Sequence, residues 1–281
     1  MASTQHIRSR ITGIDKTKQI TRSMRLVSSA KVQKARAVYE SSLPHYQRAL
    51  YLMDILAGSY ETAQNRCFAQ QTGGRAAVLV ISTDRGLCGA YNMNLARRAL
   101  RLLAKKDAVV IAVGSKVVTA LQREKAEIAG RYMGISETPV MEEAAMIAAR
   151  LLQLYQSGEV DEVYVVRTCF ENMLEQHAVA EQLLPYIPQE KTAPAGSRLL
   201  ESPAETIVQT ALSVYLGAAL YKHMAESSLC EQSARVNSMD AAARNSDELV
   251  QKLTLQYNQM RQGGITNQII EIMGGAAAAE K

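Results

Sequence analysis

Residues 204–262 read AETIVQTALSVYLGAALYKHMAESSLCEQSARVNSMDAAARNSDELVQKLTLQYNQMRQ. The stretch holds one glycine, Gly217, and no proline. Nothing in it stops a helix, and a single helix of this length runs roughly 90 Å at 1.5 Å per residue. Ordinary globular helices cover about 8–20 residues. A helix this long cannot be buried in a domain built from the rest of the chain. It is expected to project and to meet its partners outside its own core.

The stretch is amphipathic in pieces. Ile207, Ala211, Val214 and Ala218 form one stripe, and Leu249, Leu253, Tyr257 and Met260 a second. Beyond Gly263–Gly264, which are expected to loosen the helix, Ile265, Ile269, Ile272 and Ala276 form a third, with Gly274–Gly275 as helix stops. Between Lys222 and Glu248 the large apolar residues thin out to Met224, Leu229, Val236 and Met239.

The other end of the chain has the same period. Ile7, Ile11 and Ile14, then Ile20, Met24 and Val27, step by three and four. Pro44 is expected to kink or interrupt this helix before Tyr51, Leu52, Ile55 and Leu56 carry the apolar face toward Gly58. Two such terminal helices can bury their stripes against each other as an antiparallel coiled coil.

Between them the period changes. Ala76–Ser82 (AAVLVIS) and Val109–Val113 are short, β-branched, wholly apolar runs of the kind buried in parallel sheets. Val160–Thr168 and Ala178–Leu184 read as further strands. Helical stretches at 94–106, 115–125 and 142–155 alternate with them. The fold class is therefore α/β: a central Rossmann-like, mostly parallel domain, with long N- and C-terminal helices as a coiled coil. The expected divisions are 1–60 for the first helix, 75–200 for the α/β domain and 204–281 for the second helix. Pro185, Pro188, Pro194 and Pro203 mark a linker.

Composition narrows the function. The chain has 281 residues, 47% hydrophobic and 21% charged, a globular balance. No apolar run reaches the roughly 18 residues of a membrane span. Cys67, Cys88, Cys169 and Cys230 and the four histidines have no metal-ligand spacing, so no metal is expected and the thiols read as reduced. The net charge of +5 comes from residues 1–48, where ten Lys/Arg face Asp15 and Glu40; residues 204–281 are net −2. That basic segment has features of a transit peptide but no apolar core or cleavage site. It also has no aromatic before Tyr39 to stack bases, so an acidic protein surface suits it better than nucleic acid.

One loop follows the first strand: Ser82-Thr83-Asp84-Arg85-Gly86-Leu87-Cys88-Gly89-Ala90-Tyr91-Asn92. Strand-to-helix glycine loops hold phosphates, but this one is neither GxGxxG nor GxxxxGK[ST]. The reading favoured here is a tight turn, with Asp84 bonded to backbone amides and Arg85 solvated. Cys88 as a nucleophile would need a base, and His177 is the one plausible partner by sequence. Glu142–Glu143 and Asp161–Glu162 read as element-start charges. No catalytic residue, cofactor or nucleotide site is indicated.

Three stretches together resemble the γ subunits of rotary F-type ATP synthases. They are Ile11–Lys31 (ITGIDKTKQITRSMRLVSSAK), the Asp84–Gly89 loop (DRGLCG) with Tyr91-Asn92, and a series from Arg235 through Met239, Asn245, Asn258, Arg261-Gln262 and Ile265-Thr266 to Glu271 and Gly275-Ala276. The resemblance spans the chain in the family's order. It implies a non-catalytic rotor shaft: terminal helices inside a ring of α and β subunits that hold the nucleotides, and an α/β foot on the c-subunit ring and ε subunit. It implies attachment to the cytoplasmic face of a bacterial membrane only through the complex, with no nucleic acid. By position it implies β-subunit contacts at Met24, Arg235, Arg261, Gln262 and Thr266, and a structural foot loop at Asp84, Gly86 and Gly89. The chain departs from the family at Gln268, where Glu is usual, at Gly263–Gly264, and at Asn237-Ser238. No cysteine falls in 185–203, so redox gating of the plastid kind is not expected. The competing expectation is a nucleotide-binding α/β enzyme with oligomerising arms, its ligand at Asp84–Asn92.

Overall fold

The computed structural model describes residues 2–59, 65–69, 74–188 and 203–279, with side chains omitted for 2–4, 271 and 274–279. Pro194 and most of the expected linker, and the side chain of Glu271, lie outside the described residues.

The elements run α1 (Ala2–Ala57), β1 (Ala76–Ile81), α2 (Tyr91–Leu103), β2 (Ala108–Val113), α3 (Ser115–Arg123), β3 (Glu127–Tyr132), α4 (Met141–Gln156), β4 (Glu162–Phe170), β5 (Gln176–Leu184) and α5 (Ala204–Ala279). The chain divides into two compact units, Ser28–Arg235 and the pair Met1–Val27 with Val236–Lys281.

The larger unit is built on one five-stranded sheet, ordered β3-β2-β1-β4-β5. β1 pairs in parallel with β2 and β4, β2 in parallel with β3, and β5 closes the edge antiparallel to β4. β1 is buried at every position because both faces are covered. Val78, Val80, Val110 and Ala112 face α2 and α3 through Leu95, Ala99, Val117 and Leu121. Leu79, Ile81, Ile111, Val163 and Val165 face the opposite layer of Ile147 and Leu151 from α4, Met53 and Leu56 from α1, and Leu212, Leu216 and Leu220 from α5. Each fully buried Leu or Ile of this kind contributes about 1.5–3 kcal/mol.

β3 is the strand that the periodicity did not reveal. Its sequence, EIAGRY, alternates half-buried and exposed residues, carries a glycine and two charges, and pairs across a register shift at Val110/Ile111. An edge strand with one partner needs no continuous apolar run.

Pro44 does not interrupt α1. Its ring lies on the exposed side, while the Ser42 hydroxyl donates to the Tyr39 carbonyl at 2.6 Å and Ser41 to that of Val38 at 2.9 Å. Tyr46, Ala49, Met53 and Leu56, all buried, hold the following turns in place. α5 likewise passes through Gly263–Gly264 and Gly274–Gly275 without a break, so neither pair loosens or stops it. A Cβ at Gly263 or Gly264 would meet nothing within 4 Å, so packing does not require glycine there.

Candidate functional site

In an open α/β sheet, ligands sit beyond the carboxyl ends of the strands, where the strand order reverses. Here that place is between β1 and β4, under the 82–90 loop. It is filled by the chain itself. The α5 segment from Glu226 to Arg235 lies across it. Tyr91 donates its hydroxyl to the Ser227 carbonyl at 3.2 Å. The Phe170 amide donates to Glu226 Oε1 at 3.0 Å, and the Cys230 thiol lies 3.7 Å from the Thr168 carbonyl. Cys88, Tyr91 and Cys230 make one small core with Phe170 and Ala234.

The loop spends its own groups on the helix ends that would otherwise bind an anion. Asp84 Oδ1 accepts from the Ser115 amide at 3.1 Å, at the first residue of α3. Its Oδ2 accepts from the Gly134 amide at 2.9 Å and the Ser136 hydroxyl at 2.8 Å. The Lys116 amide bonds the Thr83 carbonyl at 3.0 Å, and that of Val117 reaches Ser82 Oγ at 3.4 Å. A helix N-terminus attracts negative charge, and the Asp84 carboxylate supplies it from within. Gly114, at φ +82°, allows this closeness: a Cβ there would lie 2.5 Å from the Ser82 carbonyl oxygen.

Asp84 is thus bonded to backbone amides as the sequence suggested. Arg85 is largely exposed, with Glu137 at 3.3 Å. Gly89 holds φ +60°, and Leu87, with no glycine's freedom, holds +64° at the exposed tip. Cys88 and His177 are not brought together. Burial pushes the Cys88 thiol up and Asn92 Nδ2 caps its sulfur at 3.2 Å, whereas His177 is exposed beside Glu171.

Arg235, expected among the β-subunit contacts, is buried within this chain. It is 5% exposed, with Nη2 2.5 Å from Glu231 and 3.2 Å from the Gly86 carbonyl, and Nη1 3.0 Å from Gln232 Oε1. Its guanidinium braces the loop against α5. A buried arginine needs several acceptors to offset its desolvation, and these supply them.

Sequence reasoning missed the buried charge cluster that ties α5 to the sheet. Arg167 on β4 lies 2.8 Å from both Glu181 on β5 and Glu226 on α5, and Lys222 reaches Glu226 at 2.6 Å. Burial alone would raise the Glu226 carboxyl, but the surrounding donors and the charges of Arg167 and Lys222 hold it well below the usual range. The available signal was four ionisable residues in apolar surroundings: Arg167 within a strand, and Lys222, His223 and Glu226 in sequence on α5.

In the smaller unit the basic segment finds acids on α5. Asp247 lies 2.5 Å from Lys18 and 3.2 Å from Arg22, and Asp240 lies 3.5 Å from Arg25. From Lys18 to Arg25 is seven residues forward, and from Asp247 to Asp240 seven back, so the helices pair antiparallel with equal steps. That register brings Ala2 opposite about residue 263. Beyond that point α5 continues to Ala279. Ile265, Ile269, Ile270, Ile272 and Met273 there are exposed, as are Arg261, Gln262 and Thr266; Met24 is half-buried. The Thr266 hydroxyl is turned back to the Gln262 carbonyl at 3.0 Å.

A family model described as ATP synthase matches residues 3–279. The chain is 36% identical over 284 residues to the ATP synthase gamma chain of Pelotomaculum thermopropionicum and 34% over 283 residues to that of Desulforamulus reducens, covering all of both partners in each case. Among solved structures, it is similar to a chain of the rotor of the Euglena gracilis mitochondrial ATP synthase, with TM-score 0.68 and 18% identity over 94% of this chain and 99% of that one. With matches over its full length, the chain belongs to the ATP synthase gamma chain family.

Proposed function

We propose that this chain is the central rotor stalk of an ATP synthase, a non-catalytic shaft that couples ion-driven rotation to conformational cycling of catalytic β subunits. The carrying observation is the exposed apolar end of α5. Five large apolar side chains in a row of exposed turns mark a surface that another protein covers. The plugged crevice adds to this, because a chain whose own helix occupies the Rossmann-type site drives nucleotide chemistry from outside it.

In this reading residues 1–60 and 204–281 form the shaft, and residues 75–200 the foot. The shaft turns inside a ring of α and β subunits. The foot docks on the c-subunit ring and the ε subunit, on the cytoplasmic side of the membrane. Met24, Arg261, Gln262 and Thr266 are the β-subunit contacts. Arg235 is assigned instead to holding Gly86 and the foot loop on α5. The Arg167–Glu226 cluster and the shared core of α5 with the sheet resist slippage when the foot is driven. Because the shaft has no rotational symmetry, each β subunit meets a different face of it at any moment and is biased toward a different affinity.

Reconstitution with α and β subunits tests the proposal. The isolated chain is expected neither to bind nor to turn over ATP, and to co-purify with α and β as one complex. Arg261→Ala is expected to lower ATP-driven ion pumping of that complex several-fold more than Lys252→Ala on the same helix. Turnover by the isolated chain, or failure to enter the complex, would overturn the rotor assignment. Equal effects of the two substitutions would remove Arg261 from the contact set.

A further inference from the structure

A cavity of about 420 Å³ opens between α1, the loop before α4, and α5. Ala35 and Val38 of α1, Pro139 and Val140 of the loop and Ala225 of α5 make its lining chiefly apolar. Its size falls among small-molecule sites, roughly 300–1,000 Å³, and is too small for a helix.

Its polar groups are unbalanced in one direction. Glu137, the acid at the rim, is already paired with Lys31 and with Arg85. These cations outweigh the burial that would otherwise raise it, and its carboxyl stays below the usual range. Lys34, also at the rim, has no acidic partner among the described residues. On the inner wall Gln232 is 1% exposed. Its amide oxygen accepts from Arg235, which sets the orientation of the group, and its Nε2 is left without an acceptor. A buried donor in this state costs free energy that an incoming oxygen recovers.

We propose that this cavity binds a medium-chain monocarboxylate, with the alkyl body on Ala35, Val38 and Val140 and the carboxylate offered to the surplus cation and amide donor. Because the walls come from α1, α5 and the loop between β3 and α4, an occupant ties three elements together and stabilises the folded chain by mass action.

The test uses the full chain with sodium decanoate below its micellar concentration, read by calorimetry and by thermal melting. Saturable one-to-one binding tighter than about 1 mM is expected, with a melting temperature that rises with ligand. Decanol, isosteric but neutral, is expected to bind at least tenfold more weakly. Lys34→Glu at the exposed rim and Val140→Trp, which fills the cavity, are each expected to weaken decanoate about tenfold or more while the ligand-free melt is unchanged. Should Val140→Trp not fold, Lys34→Glu decides. Absence of saturable binding, equal binding of decanol, or parent-like binding by Lys34→Glu would each overturn the proposal.

Discussion

Arg167 Nη1 on β4 and Glu226 Oε2 on α5 lie 2.8 Å apart, almost wholly out of solvent. The pair joins the sheet to the longest helix of the chain, and Lys222 and Glu181 complete its charge balance. Breaking one side of a buried pair leaves an uncompensated charge, at a cost of about 3–5 kcal/mol. Glu226→Gln keeps the shape but leaves Lys222 without its carboxylate. We expect it to lower stability by about 3 kcal/mol, read from urea unfolding by circular dichroism. A change below about 0.5 kcal/mol would show that the cluster does not anchor α5.

The same cluster sets an acid limit. His223 is fully buried, its nitrogens 4.0 Å from Glu181 and Glu226, beside Arg167, Lys222 and the Tyr46 ring. Burial pushes its pKa down from 6.5 to about 4. The unfolded chain therefore takes up a proton between these values that the folded chain refuses. The contribution of neutral His223 is complete above about pH 6.5 and is lost as pH falls toward about 4. The depressed Glu226 carboxyl adds loss in the same direction, at still lower pH. His223→Phe is expected to flatten the decline of stability between pH 6.5 and 4, measured as melting temperature against pH; an unchanged slope there would exclude His223 as its source.

Asp84, the one carboxylate of its loop, accepts hydrogen bonds from Ser115, Gly134 and Ser136. Asp84→Ala strands the backbone donors of Ser115, Gly134 and Ser136 at once. Each unsatisfied donor costs about 1–3 kcal/mol, less where water reaches it. We expect a loss of about 2–3 kcal/mol and faster amide exchange at Ser115 and Gly134. Protection at those two amides equal to that of the parent would contradict the clamp.

Lys125 follows α3 with φ +55°. The Ala126 amide bonds the Leu121 carbonyl at 3.0 Å and the Lys125 amide that of Gln122 at 3.1 Å, the paired bonds of a Schellman turn. A side chain in this left-handed position costs roughly 1 kcal/mol, and glycine avoids it. Lys125→Gly is expected to raise stability by about 0.5–1 kcal/mol, seen as a higher urea midpoint with unchanged slope. A lower midpoint would mean that Lys125 makes compensating contacts.

Much of the architecture was legible in local pattern. The wholly apolar run of β1, the alternation of strands with helices and the unbroken 204–262 stretch each depend on neighbours a few residues away, where periodicity is informative. So does the turn at Asp84, whose side chain is short and whose loop is dense in small residues. Family membership was readable from three motifs in order. β3 was not, because an edge strand half open to solvent lacks the apolar run that marks its buried neighbours.

The sequence by itself determined the unbroken 204–262 helix, the buried strands and the surplus of positive charge at the start of the chain. Only the tertiary structure decided where those charges go. It sends Lys18 and Arg22 to Asp247 and turns Arg235 inward onto a carbonyl 149 residues away. It also lays α5 across the crevice that the strand order would otherwise leave for a ligand. An arginine reads the same in a sequence whether it faces a partner or its own backbone. Burial and long-range register make that distinction, and both exist only once the chain is packed.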